Sequence, residues 1–244
     1  GAEGRNIVID GNHLHDVNPH NWGPDGDHGD FIKLYSYDRS RTEPLDNIRI
    51  TNNFLDQGGG FPIMGIFTDG PWNGSKFEDV VVEGNVIYNG NFQGMALNDI
   101  DGGRVANNTL LFSGGEERDK PGIRINDRNS DMVIEDNITG FVEINSDSNI
   151  VSRNNLEVQR TNPYGENYYG DLFVNALPLL PSLDDLRIKP GSALDGAGLG
   201  SPLLEFDETS SGLTAQITSQ REGVDVYLFD ASLTADRSGL VAEE

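Results

Sequence analysis

Hydrophobic and polar positions alternate along the chain up to Asn155 in a phrase that returns six times: hydrophobic-x-hydrophobic-x-x-Asn. It reads Ile7-Val8-Ile9-Asp10-Gly11-Asn12, Ile48-Arg49-Ile50-Thr51-Asn52-Asn53 and Val80-Val81-Val82-Glu83-Gly84-Asn85. It continues as Gly103-Arg104-Val105-Ala106-Asn107-Asn108, Met132-Val133-Ile134-Glu135-Asp136-Asn137 and Ile150-Val151-Ser152-Arg153-Asn154-Asn155. Successive Asn residues are 41, 32, 23, 29 and 18 positions apart, so the period is loose while the phrase is not. Alternation with period two predicts a short strand with one buried face. A repeat of roughly 20–50 residues predicts a solenoid, in which each unit buries its apolar face against the next.

A second apolar strand follows each of the first five phrases: Ile32-Lys33-Leu34-Tyr35, Ile66-Phe67-Thr68-Asp69, Met95-Ala96-Leu97-Asn98, Ile123-Arg124-Ile125-Asn126 and Val142-Glu143-Ile144-Asn145. Four of these have a glycine close by, Gly65, Gly94, Gly122 and Gly140. Two strands per repeat predict two parallel sheets in one coil, right-handed because parallel crossovers overwhelmingly are. The fold class is therefore all-β: a right-handed parallel β-helix with a short β segment after it. Ile7, Ile9, Ile48, Ile50, Val80, Val82, Val105, Ile134 and Ile150 point inward. Asn12, Asn53, Asn85, Asn108, Asn137 and Asn155 sit at a bend, where an amide can accept from one rung and donate to the next. Asp69, Asn98, Asn126 and Asn145 form a second polar column, read as a similar ladder.

After Asn155 the pattern loosens. Leu172-Phe173-Val174-Asn175 reads as a last coil strand, and the stretch from Asp185 to Gly198 follows it, including Ile188-Lys189-Pro190-Gly191-Ser192-Ala193-Leu194-Asp195-Gly196. This stretch resembles the L-x-P-x-S-P-A-I-D-x-G ending of secreted right-handed β-helix proteins, without its second Pro. Together with the coil phrases, it makes residues 5–198 similar to the polysaccharide lyase and epimerase type of that group. Residues 1–200 are read as the β-helix and 201–212 as a linker. Residues 213–244 are read as a partial β-sandwich-like module or an extended tail. Within these, Val226-Tyr227-Leu228-Phe229-Asp230-Ala231-Ser232 resembles the opening of a polycystic-kidney-disease-type module. The resemblances imply an extracellular, modular protein.

The formal net charge is −23. Such a field repels phosphate backbones, so nucleic acid is not an expected partner; it also repels anionic polysaccharide unless calcium or a local basic patch intervenes. No cysteine is present, which excludes disulfides and thiolate chemistry. No apolar run is long enough to span a membrane. No signal peptide is visible, and the first residue is not Met; the expectation is a fragment of a longer secreted protein.

Loops are where a solenoid accepts insertions, so the longest one draws attention. The stretch from His13 to Phe31 holds all four histidines, His13, His15, His20 and His28, together with Trp22 and the acids Asp25, Asp27 and Asp30. The three acids offer hard oxygen ligands for Ca2+; His20 and His28 with the acids are an alternative transition-metal set. In the second strands, alternation puts Lys33, Phe67, Ala96, Arg124 and Glu143 in one outward column, with Lys33 and Arg124 about 14 Å apart at the interstrand spacing. Tyr35 shares the outer face of Lys33.

A groove with cations, a Tyr and aromatic walls suits a sugar polymer. The resemblance to β-helix lyases and epimerases implies abstraction of the C5 proton of a uronate. That reaction needs a base, a group neutralising the carboxylate and an acid for the leaving oxygen. His28, Lys33, Tyr35 and Arg124 are the candidates for these roles. His15, Trp22, Phe67, Trp72, Asn98 and Asn126 are the candidates for lining the polymer's path. Two other readings stand beside this one: a polysaccharide-binding adhesin stalk, and a phage tailspike-like glycoside hydrolase. A hydrolase needs two nearby carboxylates, and Asp69, Asp99, Asp101 and Asp127 lie near one strand end.

Overall fold

The computed structural model describes residues 6–18, 29–35, 45–70, 76–146, 148–205, 216–219 and 225–228, the last two segments as backbone. The chain winds as a right-handed parallel β-helix, and each of the first five coils contributes to three sheets rather than two. The six phrases form the first sheet: Ile7–Asp10, Leu45–Thr51, Phe77–Glu83, Ile100–Ala106, Ser130–Glu135 and Ile150–Arg153. The second sheet follows immediately after each ladder Asn: His13–His15, Phe54–Asp56, Val86–Asn89, Thr109–Phe112, Ile138–Thr139 and Leu156–Glu157. The third is Asp30–Tyr35, Met64–Asp69, Met95–Leu97, Ile123–Ile125 and Val142–Ile144. The second sheet escapes a reading by alternation because its strands have two to four residues, and most send a single side chain, such as Leu14, Leu55, Ile87 or Leu110, into the main core.

Register makes the core. Ile9 pairs with Ile50, Ile50 with Val82, Val82 with Val105 and Val105 with Ile134, all at most 1 % exposed. Removing each such side chain from water stabilises the fold by about 1.5–3 kcal/mol. At the bend beside this column the Asn ladder forms as expected. The backbone N–H and the amide of Asn53 both donate to Oδ1 of Asn85, at 3.0 and 2.9 Å, and the amide also reaches the Ile9 carbonyl at 2.9 Å. The same double donation links Asn12 to Asn53, Asn85 to Asn108, Asn108 to Asn137 and Asn137 to Asn155.

The residue before each ladder Asn has positive φ: Gly11, Asn52, Gly84, Asn107, Asp136 and Asn154, between 50° and 70°. Gly, Asn and Asp are the residue types that visit this region at least cost. At the corner entering the third sheet, a Cβ on Gly65 would lie 2.0 Å from the Gly94 carbonyl oxygen, so only glycine lets successive coils approach there.

The expected second ladder does not form. Asn98 donates from its amide to the Thr68 carbonyl at 2.6 Å, and Asn145 turns to Glu143 at 3.1 Å. The buried polar work at this corner falls to Thr68 and to Asn129. The Asn129 amide donates to the Leu97 and Asn126 carbonyls at 2.7 and 2.8 Å, while its oxygen accepts from the Ile100 N–H at 2.9 Å.

The segment after Asn155 is a strap across the outer face of the second sheet. Leu172 to Asn175 is not a coil strand: Tyr169–Leu172 is a short helix, and Phe173 bridges Ile188 antiparallel. Tyr169, Leu172, Phe173, Leu186 and Leu204 build a second core with Val86, Tyr88, Leu111 and Ile138. Apolar residues on both faces of the second sheet account for this, since the outward face must also be covered. The start of the stretch read as a linker is packed as well: Pro202–Leu204 is a 3-10 turn, Leu204 is buried, and the Ser201 hydroxyl donates to the Gly84 carbonyl at 2.5 Å. Two strands of the stretch read as a sandwich-like module or tail return to the first coil. Gln216–Ser219 pairs antiparallel with Ile7–Asp10, and Asp225–Leu228 with the third-sheet strand at Ile32 to Tyr35. They occupy strand edges that a parallel coil otherwise leaves unpaired.

Candidate functional site

The outward face of the third sheet carries the column expected from alternation. Lys33 is in register with Phe67, Phe67 with Ala96, Ala96 with Arg124 and Arg124 with Glu143. Tyr35 is in register with Asp69. Lys33, Tyr35, Phe67 and Asp69 thus make a two-by-two patch on neighbouring strands, which lie about 4.8 Å apart. The Lys33 ammonium lies 5.4 Å from the ring centroids of both Tyr35 and Phe67, within cation-π range.

Beneath Lys33 is Asp30. Phe31 and Ile32 both enter the core, so the alternation slips there and leaves Asp30 on the side of Lys33. Its carboxylate is fully buried, 3.6 Å from the Lys33 ammonium. Burial pushes the Asp30 carboxyl up to about 7, against the opposing pull of Lys33.

A second feature borders the patch. The Asp69 carboxyl is raised from its ordinary range, first by burial and then by the neighbouring charge of Asp99, while Arg128 and Lys33 pull it back. Asp99, 1 % exposed, accepts from Arg128 Nη2 at 2.5 Å and from the Gly70 N–H at 2.9 Å. Half of the Arg128 side chain remains exposed. The group therefore combines a carboxyl raised from its ordinary range, a neighbouring acid that contributes to raising it, and two basic side chains.

Arg124 does not join it. Arg124 lies three rungs from Lys33, its Nε 2.8 Å from Glu143 Oε2 and its guanidinium 5.1 Å from the Phe92 ring centroid. Hydrogen bonds from Asn145 and then Arg124 hold the Glu143 carboxyl below its usual range. Lys33 and Tyr35 are thus neighbours, and Arg124 stands three rungs along the same outward column, as expected, within an aromatic and ionic cluster of its own. The Tyr35 hydroxyl is buried and does not reach the surface. Asn98 and Asn126 lie at the ends of their third-sheet strands, and the Asn126 N–H donates to the Leu97 carbonyl at 3.0 Å. His15 lies on the second sheet, away from this face. His28, Trp22, Trp72, Asp25 and Asp27 lie outside the described residues. The one calcium candidate among the described residues, Asp30, faces the ammonium of Lys33. No three histidine or carboxylate side chains among the described residues are arranged to hold a metal ion.

Comparison with protein families, with curated proteins and with solved structures finds no match. Among the described residues no helix is long and apolar enough to cross a membrane.

Alternation and spacing leave Arg128 without a role, and Asp69 is only one of four carboxylates near a strand end. Their signal is present but faint: Asp69 ends a second strand, and the run Asn126-Asp127-Arg128-Asn129 sits one turn beyond another. Only the stacking of coils brings Asp69, Asp99 and Arg128 together.

Proposed function

We propose that this β-helix binds an acidic, uronate-containing polysaccharide along the outward face of its third sheet and acts on it by C5 proton abstraction. The observation that carries the reading is the patch of Lys33, Phe67 and Asp69 bordered by Arg128: it combines a candidate base, an apolar ring and a carboxyl raised from its ordinary range. In this reading Lys33 takes the C5 proton. Arg128, half exposed, neutralises the uronate carboxylate and so stabilises the charge that develops as the proton leaves. Asp69 gives its proton to the glycosidic oxygen as the C4–O bond breaks, leaving a C4–C5 double bond on one product and a new hydroxyl on the other. Return of a proton to C5 from the opposite face, without bond cleavage, would be epimerisation. Phe67 and, further along, Phe92 with Arg124 offer rings and a cation to successive sugars.

The pairing of Asp69 with Asp99 supports a second reading, acid-assisted glycoside hydrolysis, in which Asp69 is again the proton donor. A panel of uronate and neutral polysaccharides tests both. The lyase reading expects new absorbance from unsaturated ends, and the epimerase reading expects deuterium uptake at C5 from heavy water. Reducing ends without unsaturation select hydrolysis. A wild-type protein that produces none of these on any polymer, with or without added Ca2+, overturns the enzymatic reading and leaves a binding rod.

A further inference from the structure

The second sheet opens with His13-Leu14-His15, and alternation sends Leu14 inward and both histidines outward. Their ring centroids are 4.7 Å apart, with the planes tilted by 35°. Two imidazoles at this separation can place one nitrogen each at about 2.0–2.1 Å from a shared divalent ion. His13 is fixed from below by stacking on Phe54, at 4.6 Å between centroids and 14° between planes.

His15 is fixed from the side. Its Nδ1 lies 2.6 Å from Oδ2 of Asp16. The Gly59 N–H donates to the other Asp16 oxygen at 2.5 Å, which holds that carboxylate in place. A carboxylate oxygen can only accept, so the His15 contact takes Nδ1–H as its donor and leaves Nε2 as the coordinating nitrogen. A carboxylate behind a ring nitrogen is the usual second contact of a metal-bound histidine. The loop Gly58-Gly59-Gly60 is shaped around this arrangement. A Cβ on Gly58 would lie 2.4 Å from Asp16 Oδ1, and one on Gly60 would lie 2.6 Å from the Val17 carbonyl oxygen. The Gly58 N–H also donates to the carboxyl of Asp56, a residue in register with His15.

We infer that His13 and His15 form a two-imidazole chelate for a borderline divalent transition-metal ion such as Zn2+, Ni2+ or Cu2+, with Asp16 as positioning residue. Imidazole nitrogens suit these ions and not Ca2+. The site stands on the second sheet, apart from the third-sheet patch, and does not depend on the enzymatic reading.

Calorimetric titration of the full chain with ZnCl2, NiCl2 and CuCl2, at neutral pH in a non-coordinating buffer, tests it. The expected result is one ion per chain, tightest for Cu2+. His15→Ala and His13→Phe, the latter keeping a ring on Phe54, should each weaken binding at least tenfold with unchanged circular dichroism. Asp16→Asn should weaken it by about 10-fold or more. His20→Ala and His28→Ala should leave it intact. Absence of binding to wild type, binding that survives both His13→Phe and His15→Ala, or loss with His20→Ala or His28→Ala overturns the site.

Discussion

Arg128 Nη2 lies 2.5 Å from Oδ2 of the buried Asp99, an ion pair that ties one coil to the next at the end of the third sheet. Asp99 is also the charge beside Asp69, so the pair sets the environment of the proposed acid. Asp69→Asn removes the proton donor, and turnover on a uronate polymer should fall by about 10²–10⁴-fold. Asp99→Asn removes a charge that raises the Asp69 carboxyl and frees Arg128, so the Asp69 carboxyl should lose its proton at lower pH. The alkaline limb of the pH–rate profile should then move down. An unmoved limb in Asp99→Asn would separate Asp69 from the proton transfer.

The ladder offers a test of the fold. Asn85 is fully buried, accepts both Asn53 donors, and donates to Asn108 and to the Ile50 carbonyl. Asn85→Ala orphans several of these groups, each worth about 1–3 kcal/mol when left unsatisfied. Urea unfolding should show a loss of roughly 3 kcal/mol or more, and thermal unfolding a drop of about 10 °C. Asn155→Ala should cost less, because that residue ends the ladder and is partly exposed.

Asp30 should make stability depend on pH. Its carboxyl titrates near 7 in the folded chain and near 3.8 unfolded, so between these values the folded state binds more protons. The stabilisation is complete below about pH 4 and is lost as pH rises through 7. Each pH step of one between the two values is worth about 1.4 kcal/mol, so the loss amounts to a few kcal/mol. Asp30→Asn should flatten the decline of unfolding free energy between pH 5 and 8. A shallower slope should remain from Asp56 and Asp69, whose carboxyls burial also raises. Equal slopes in wild type and variant would refute this assignment.

The strap can be loosened at one atom. The Tyr169 hydroxyl, buried completely, accepts the Phe112 N–H at 2.8 Å. Tyr169→Phe keeps the ring and orphans that N–H, at a cost of about 1–3 kcal/mol. Limited proteolysis should then cut between residues 158 and 205 earlier than in wild type, while the coils remain protected.

The sequence by itself determined the coil. Six phrases ending in Asn carry both the inward alternation of Ile9, Ile50, Val82, Val105 and Ile134 and the residue that satisfies each bend, because these depend on local periodicity and side-chain chemistry. The same alternation specified the outward column from Lys33 to Glu143, since a strand's two faces are read two residues at a time. Tertiary structure alone decided the second sheet, whose strands are too short to show a period, and the strap that covers it. It also decided which polar groups meet. Asp69, Asp99 and Arg128 are separated by 30 and 29 positions in sequence but lie on successive coils, and the irregular loop lengths hide that stacking from any fixed spacing. His13 and His15 were legible as a pair, yet their partners Asp16, Phe54 and Gly59 acquire meaning only once the second coil lies against the first. Periodicity reports which way a side chain faces, whereas its partner is fixed by the coil that stacks beside it.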